Sequence, residues 1–191
     1  MNRRQIIIAT SLAIVAGVIA AGTSMAALNS RVCARLHKIH QKLIKNYPDL
    51  GHIAQSELNE KPLSHYVIFD TRKPEEFAVS HLEGAIQLNP SISAADFLQR
   101  HGEHIAGRDV VFYCSVGRRS SGIAAEIVGA LKESTQAPPN RIANLEGGIF
   151  AWSNAGLPLV NANGPTQNVH PFNAYWGRLL DNRSVIDYQP N

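Results

Sequence analysis

A thiol followed within a few residues by a glycine and two arginines is the most chemically loaded pattern in this chain: Cys114-Ser115-Val116-Gly117-Arg118-Arg119-Ser120. Cysteine attacks as its thiolate, and neighbouring arginines favour negative charge on the sulfur. The residues before it, Asp109-Val110-Val111-Phe112-Tyr113, read as a buried strand, and Ser121-Gly122-Ile123-Ala124-Ala125-Glu126-Ile127-Val128 after it read as a helical run. The cysteine therefore sits at a strand's carboxyl end and faces the start of a helix. Backbone N–H groups and the helix dipole converge there on anything negative. A lone cysteine closing an apolar strand is ordinarily a small buried hydrophobe. Packing, however, has no use for Arg118, Arg119 or the backbone freedom of Gly117. The pattern proposes a reactive Cys114 with Arg119 as its catalytic partner. Ser115, Val116, Gly117, Arg118 and Ser120 form the cradle that holds an anionic substrate.

The elements that must position this loop alternate along the chain. Tyr66–Asp70, Ala85–Leu88, Asp109–Cys114 and Arg141–Leu145 read as short strands, rich in β-branched and aromatic residues. Glu75–Ser80, Ser93–His101, Ser120–Lys132 and Gly147–Asn154 read as helices between and after them. Such alternation implies an α/β domain with a mainly parallel central sheet flanked by helices. Ligands of open sheets gather at the carboxyl ends of the strands, where Cys114 falls.

Three segments in order carry a family resemblance. The first is Asp70-Thr71-Arg72-Lys73-Pro74-Glu75-Glu76-Phe77 with Ser80-His81-Leu82-Glu83-Gly84-Ala85; the second is the Cys114 loop; the third is Gly147-Gly148-Ile149-Phe150-Ala151-Trp152 with Gly156-Leu157-Pro158. Together they resemble the rhodanese-like sulfurtransferases in single-domain form, since each segment occurs once. The resemblance implies a rhodanese-like fold over residues 50–160 and sulfane-sulfur transfer through a Cys114 persulfide. The donor would be thiosulfate or a similar small molecule, the acceptor a thiol or cyanide, and no cofactor is implied. The basic loop is more like that of thiosulfate-using members than the uncharged loops of mercaptopyruvate-using ones. Asp70, Arg72 and His81 are expected to hold the first βα turn rather than to meet substrate. Phosphatases of this fold carry a loop one residue longer, C-x5-R, whereas Arg119 follows Cys114 with four residues between. A non-catalytic module that docks partners or carries sulfur is the alternative, although such members often lack the cysteine.

Outside the 50–160 region the chain divides in three. In residues 1–27, Arg3 and Arg4 precede an uncharged run from Ile6 to Gly22, 17 residues long. That is the pattern of a signal peptide or of a short transmembrane anchor. A chain anchored in the membrane or exported to the cell envelope is expected, with the side of the membrane left open. Residues 28–49 form a basic amphipathic helix, with Val32, Leu36, Ile39, Leu43 and Ile44 at helical spacing. This helix suits either an anionic lipid surface or packing on the domain. Residues 161–191 are an Asn- and Pro-rich extension containing Phe172, Tyr175 and Trp176, expected to pack back through Trp176-Gly177-Arg178-Leu179-Leu180. The 191-residue chain has a net charge of +3, and residues 1–26 hold two arginines and no acid, so the remainder carries +1. No basic stripe interleaved with aromatics is present, which excludes a nucleic-acid partner. The pairs His37/His40 and His101/His104 have no third ligand near them in sequence, so no metal site is expected.

Overall fold

A computed structural model describes residues 31–190. The uncharged run from Ile6 to Gly22 lies outside them. Among the described residues no helix is long and apolar enough to cross a membrane.

Helix α1 (31–46) leads into strand β1 (Gly51–Ile53) and a single turn, α2 (Gln55–Leu58). There follow β2 (Tyr66–Asp70), α3 (Pro74–Val79), β3 (Ile86–Gln87) and α4 (Ala94–Ile105). Then come β4 (Asp109–Tyr113), α5 (Arg118–Glu133), β5 (Arg141–Leu145) and α6 (Gly148–Asn154). A hairpin of β6 (Leu159–Asn161) and β7 (Gly164–Thr166) closes the domain.

The five strands of the main sheet lie in the order β1-β5-β4-β2-β3, and every neighbouring pair is parallel. The mainly parallel sheet expected from the alternation is therefore parallel throughout. Strand β4 is central, and Val110, Val111, Phe112 and Tyr113 are all buried. A continuous apolar run is what a parallel strand covered on both faces requires. Alternate residues enter opposite cores, as the period of two dictates. Ile68, Val111, Tyr113, Ala143 and Leu145 face one side, covered by α6, by Val32 and Leu36 of α1, and by Leu179, Leu180 and Val185 of the C-terminal extension. Val67, Phe69, Val110, Phe112 and Ile142 face the other, under Phe97, Leu98 and Ile105 of α4 and Ala124 and Ile127 of α5.

Helix α1 thus docks on the domain. Val32, Leu36, His40 and Leu43 are buried, and its basic residues remain exposed. The C-terminal extension packs back over the same face through Leu179 and Leu180.

The first βα turn is held by a wholly buried pair. Arg72 donates from Nη2 to Asp70 Oδ2 at 2.6 Å, and neither side chain has any exposed surface. Asp70 Oδ1 also accepts the Arg72 backbone N–H at 2.9 Å, and Arg72 Nη2 reaches the Ser80 carbonyl at 2.6 Å. Burial pulls the Arg72 guanidinium down, but the Asp70 charge outweighs it and the net shift is upward. His81 stacks on Phe77, with ring centroids 3.8 Å apart, and its main chain bridges to Val160. Asp70 and Arg72 thus engage each other and the turn backbone, and His81 engages Phe77 and Val160.

Candidate active site

Cys114 follows the last residue of the central strand and is 1 % exposed. The chain then makes a tight loop into α5, which Gly117 permits by adopting φ 87°, a left-handed conformation open to glycine. Three anchors fix the loop. The Ile149 and Phe150 N–H groups at the start of α6 donate to the Cys114 and Ser115 carbonyls at 2.9 and 3.1 Å. Ser120 Oγ donates to Asn144 Oδ1 of β5 at 2.6 Å. The Ser121 hydroxyl and N–H both reach the Gly117 carbonyl, at 2.7 and 3.1 Å.

The first anchor explains the second of the paired glycines in the third motif. At Gly148, φ is 56° and an added Cβ would lie 2.2 Å from the Cys114 carbonyl oxygen. Any side chain there would push the nucleophile's own backbone away, so only glycine lets α6 approach this closely.

With the Cys114, Ser115 and Gly117 carbonyls engaged, the loop's own donors remain. Among the described residues, no acceptor takes the backbone N–H groups from Ser115 to Ser120. Helix first turns leave such groups orphaned, and a run of them beside a thiol is an anion site in waiting.

The two arginines have different surroundings. Arg119 forks onto Glu76 of α3, with Nη1 to Oε2 at 2.8 Å and Nη2 to Oε1 at 2.9 Å. Its Nη2 also meets Ser115 Oγ at 3.0 Å, and Ser115 in turn donates to Glu76 Oε1 at 3.2 Å. Burial pushes the Glu76 carboxyl up, but Arg119, the Lys73 N–H and Arg72 outweigh it and hold it below the usual range. Burial likewise pulls Arg119 down, and Glu76 and Cys114 together more than reverse this. Arg118 is exposed, with its guanidinium carbon 5.8 Å from the Trp176 ring centroid.

A cleft of about 360 Å³ opens over the thiol, lined by Cys114, Ser115, Val116, Arg118 and Arg119 of the loop. Of the residues assigned from sequence, Gly117 and Ser120 do not line it; Gly117 shapes the turn and the Ser120 hydroxyl is spent on Asn144. The remaining walls come from outside the motif segments. Leu43, Asn46 and Tyr47 approach from α1 and its end, and Phe172 and Trp176 from the C-terminal extension. Phe172 adopts a left-handed φ of 63°, its N–H bonded to His170 Nδ1 at 3.1 Å, and its ring centroid is 5.0 Å from the Arg119 guanidinium carbon. Glu76 and these wall residues were not legible as site residues from spacing. The available signals were the place of Glu76 in the first motif segment and, for the wall, a cluster of aromatics in an otherwise polar tail.

The family model of the rhodanese-like domain matches residues 52–155. The chain belongs to the rhodanese-like domain family. A sulfurtransferase of Allochromatium vinosum is 35% identical over 98 residues, which is 51% of this chain and 81% of that protein. An uncharacterized protein of Synechocystis is 33% identical over 116 residues, 60% of this chain and 58% of its own length. Among solved structures, a thiosulfate sulfurtransferase from Pseudomonas aeruginosa is 20% identical, with a TM-score of 0.46, over 72% of this chain and 25% of that one. A rhodanese-related protein from Thermoplasma volcanium is 22% identical, with a TM-score of 0.43, over 58% of this chain and 97% of that one. Helix α1 and the Phe172–Trp176 wall therefore lie outside the span that the rhodanese-like family model matches.

Proposed function

We propose that the protein is a sulfurtransferase that moves sulfane sulfur from thiosulfate, or a similar anionic donor, to a thiol or cyanide through a Cys114 persulfide. The observation that carries the reading is the cysteine at the central strand's end, inside a loop whose N–H groups from Ser115 to Ser120 find no acceptor among the described residues. The Cys114 thiolate attacks the outer sulfur of thiosulfate. The sulfur–sulfur bond of the donor breaks, sulfite leaves with the bonding pair, and Cys114 holds a persulfide anion. The free N–H groups of the loop are suited to that anion. The acceptor then attacks the outer sulfur and Cys114 departs as thiolate. Two successive displacements predict ping-pong kinetics, and production of thiocyanate from thiosulfate and cyanide is the assay that tests the reading. Parallel lines in double-reciprocal plots are expected; absence of thiocyanate above background would reject it.

The arginines divide the labour of binding a dianion. Arg119, fixed by Glu76 and Ser115, sets the charge of the cleft and the shape of the loop; Arg118 is the exposed counter-charge. Arg118→Ala is expected to raise KM for thiosulfate with little change in kcat. Arg119→Ala is expected to lower both kcat and kcat/KM, since it also strands Glu76. Each loss is expected to cost roughly 1.5–3 kcal/mol in kcat/KM. Unchanged kinetics in both variants would show that backbone groups alone bind the donor.

The N-terminal run supports membrane targeting, as an anchor or an export signal, and the domain is expected to fold without it. Full-length chain is expected in the membrane or envelope fraction, and a chain starting at Leu28 outside it. Full-length protein recovered in the soluble cytoplasm would overturn the targeting.

A further inference from the structure

Beside the Cys114 cleft runs a second depression of about 560 Å³, between α1 and the C-terminal extension. It is lined by Arg35, Lys38, Lys42, Arg118 and Arg178, and by no acidic residue. Among the described residues none of these five cations is ion-paired. Arg35, Lys38 and Lys42 recur at spacings of three and four, so they share one face of α1 and spread their charge over roughly 10 Å. The groove and the cleft share Leu43, Asn46, Arg118 and Trp176 and so adjoin along that edge. Tyr175, 69 % exposed, adds an open aromatic ring to the wall.

A row of unpaired cations this long exceeds what thiosulfate requires, because a small dianion is met by the loop and its two arginines. It fits a molecule whose negative charges are spread along a chain, and its volume is that of a small-molecule site. We infer that the groove holds the polyanionic tail of an extended thiol whose sulfur enters the Cys114 cleft as the acceptor. The inference rests on the sulfur-transfer reading for the chemical step. In that step the acceptor sulfur bonds to the outer sulfur of the persulfide and the Cys114 sulfur–sulfur bond breaks. Cys114 leaves as thiolate, and the proton given up by the acceptor thiol ends on the transferred sulfur. No external oxidant or reductant is needed.

The test compares coenzyme A, whose phosphates trail its thiol, with pantetheine, the same thiol arm without phosphates, on the full-length protein with thiosulfate as donor. Coenzyme A is expected to give a kcat/KM about tenfold higher at low ionic strength, an advantage that added salt erases. The triple variant Lys38→Glu, Lys42→Glu, Arg178→Ala is expected to lose that advantage through KM. Its rates with pantetheine and with cyanide stay at wild-type level, which also reports an intact fold. Equal kcat/KM for the two thiols, or an equal loss with all three acceptors, would overturn the groove. Calorimetric titration with coenzyme A separates this from the chemistry. Binding that the triple variant abolishes supports the groove even where no sulfur is transferred, and absence of binding to wild type rejects it while cyanide turnover continues. Phosphatidylglycerol vesicles that bind wild type and not the variant, with coenzyme A kinetics equal in the two, would reassign the charges to lipid and overturn the thiol site.

Discussion

Cys114→Ser is expected to reduce thiocyanate formation by at least about three orders of magnitude, to the uncatalysed background, while Cys33→Ser stays near wild type. A serine hydroxyl at the same place keeps the loop's packing but is a far poorer nucleophile towards sulfur. Cys33 is exposed on α1 and lines a separate depression with His37, His40 and Glu146, away from the loop donors. Only Cys114 combines the strand end, the free N–H groups and the Arg119 guanidinium. Stopped turnover in the Cys33 variant with activity retained in the Cys114 variant would exchange the two roles and refute the site.

The second large effect is on stability. Arg72→Met leaves Asp70 as an unpaired carboxylate with no exposed surface, in a turn whose backbone it also caps. Breaking a buried pair from one side costs roughly 3–5 kcal/mol. For a domain of this size that lowers Tm by roughly 6–20 °C. Replacing both partners, Asp70→Leu with Arg72→Met, is expected to recover part of the loss, because the uncompensated charge goes. Urea unfolding of the three proteins checks this. A single variant within about 1 kcal/mol of wild type would mean that the pair is not what holds the turn.

The sheet was legible where its residues are buried on both faces. Tyr66–Asp70 and Arg141–Leu145 are found at the bounds their apolar runs indicate, and Asp109–Tyr113 ends one residue earlier because Cys114 already belongs to the loop. Strand β1 was not legible: it is three residues long, lies at the sheet edge and carries His52 at its centre. The β6–β7 hairpin was missed for a similar reason, since Pro165 and Gly164 read as loop and only pairing with Leu159–Asn161 makes them strand. Helix α4 extends to Ile105, beyond His101, because Ile105 is wholly buried against the sheet.

The site divides along the same physical line. The Cys114 loop could be read from local order, since strand, glycine and helix are adjacent in sequence. Glu76 could not, because its partner Arg119 is 43 residues away and nothing local says which acid an arginine will choose. Helix α1 offered an apolar stripe suited equally to lipid or protein, and the burial of Val32, Leu36 and Leu43 decides for the domain. Phe172 and Trp176 reach the cleft only through the tertiary return of the C-terminal extension, which has no periodicity of its own.

The central claim is a covalent one, that sulfur rests on Cys114. Purified protein is incubated with thiosulfate in the absence of acceptor, and its intact mass is measured before and after cyanide is added. The account predicts a gain of one sulfur atom that peptide mapping assigns to the Cys114 segment, that cyanide removes as thiocyanate, and that Cys114→Ser never acquires. No mass gain in wild type, or a gain that maps to Cys33, would contradict it.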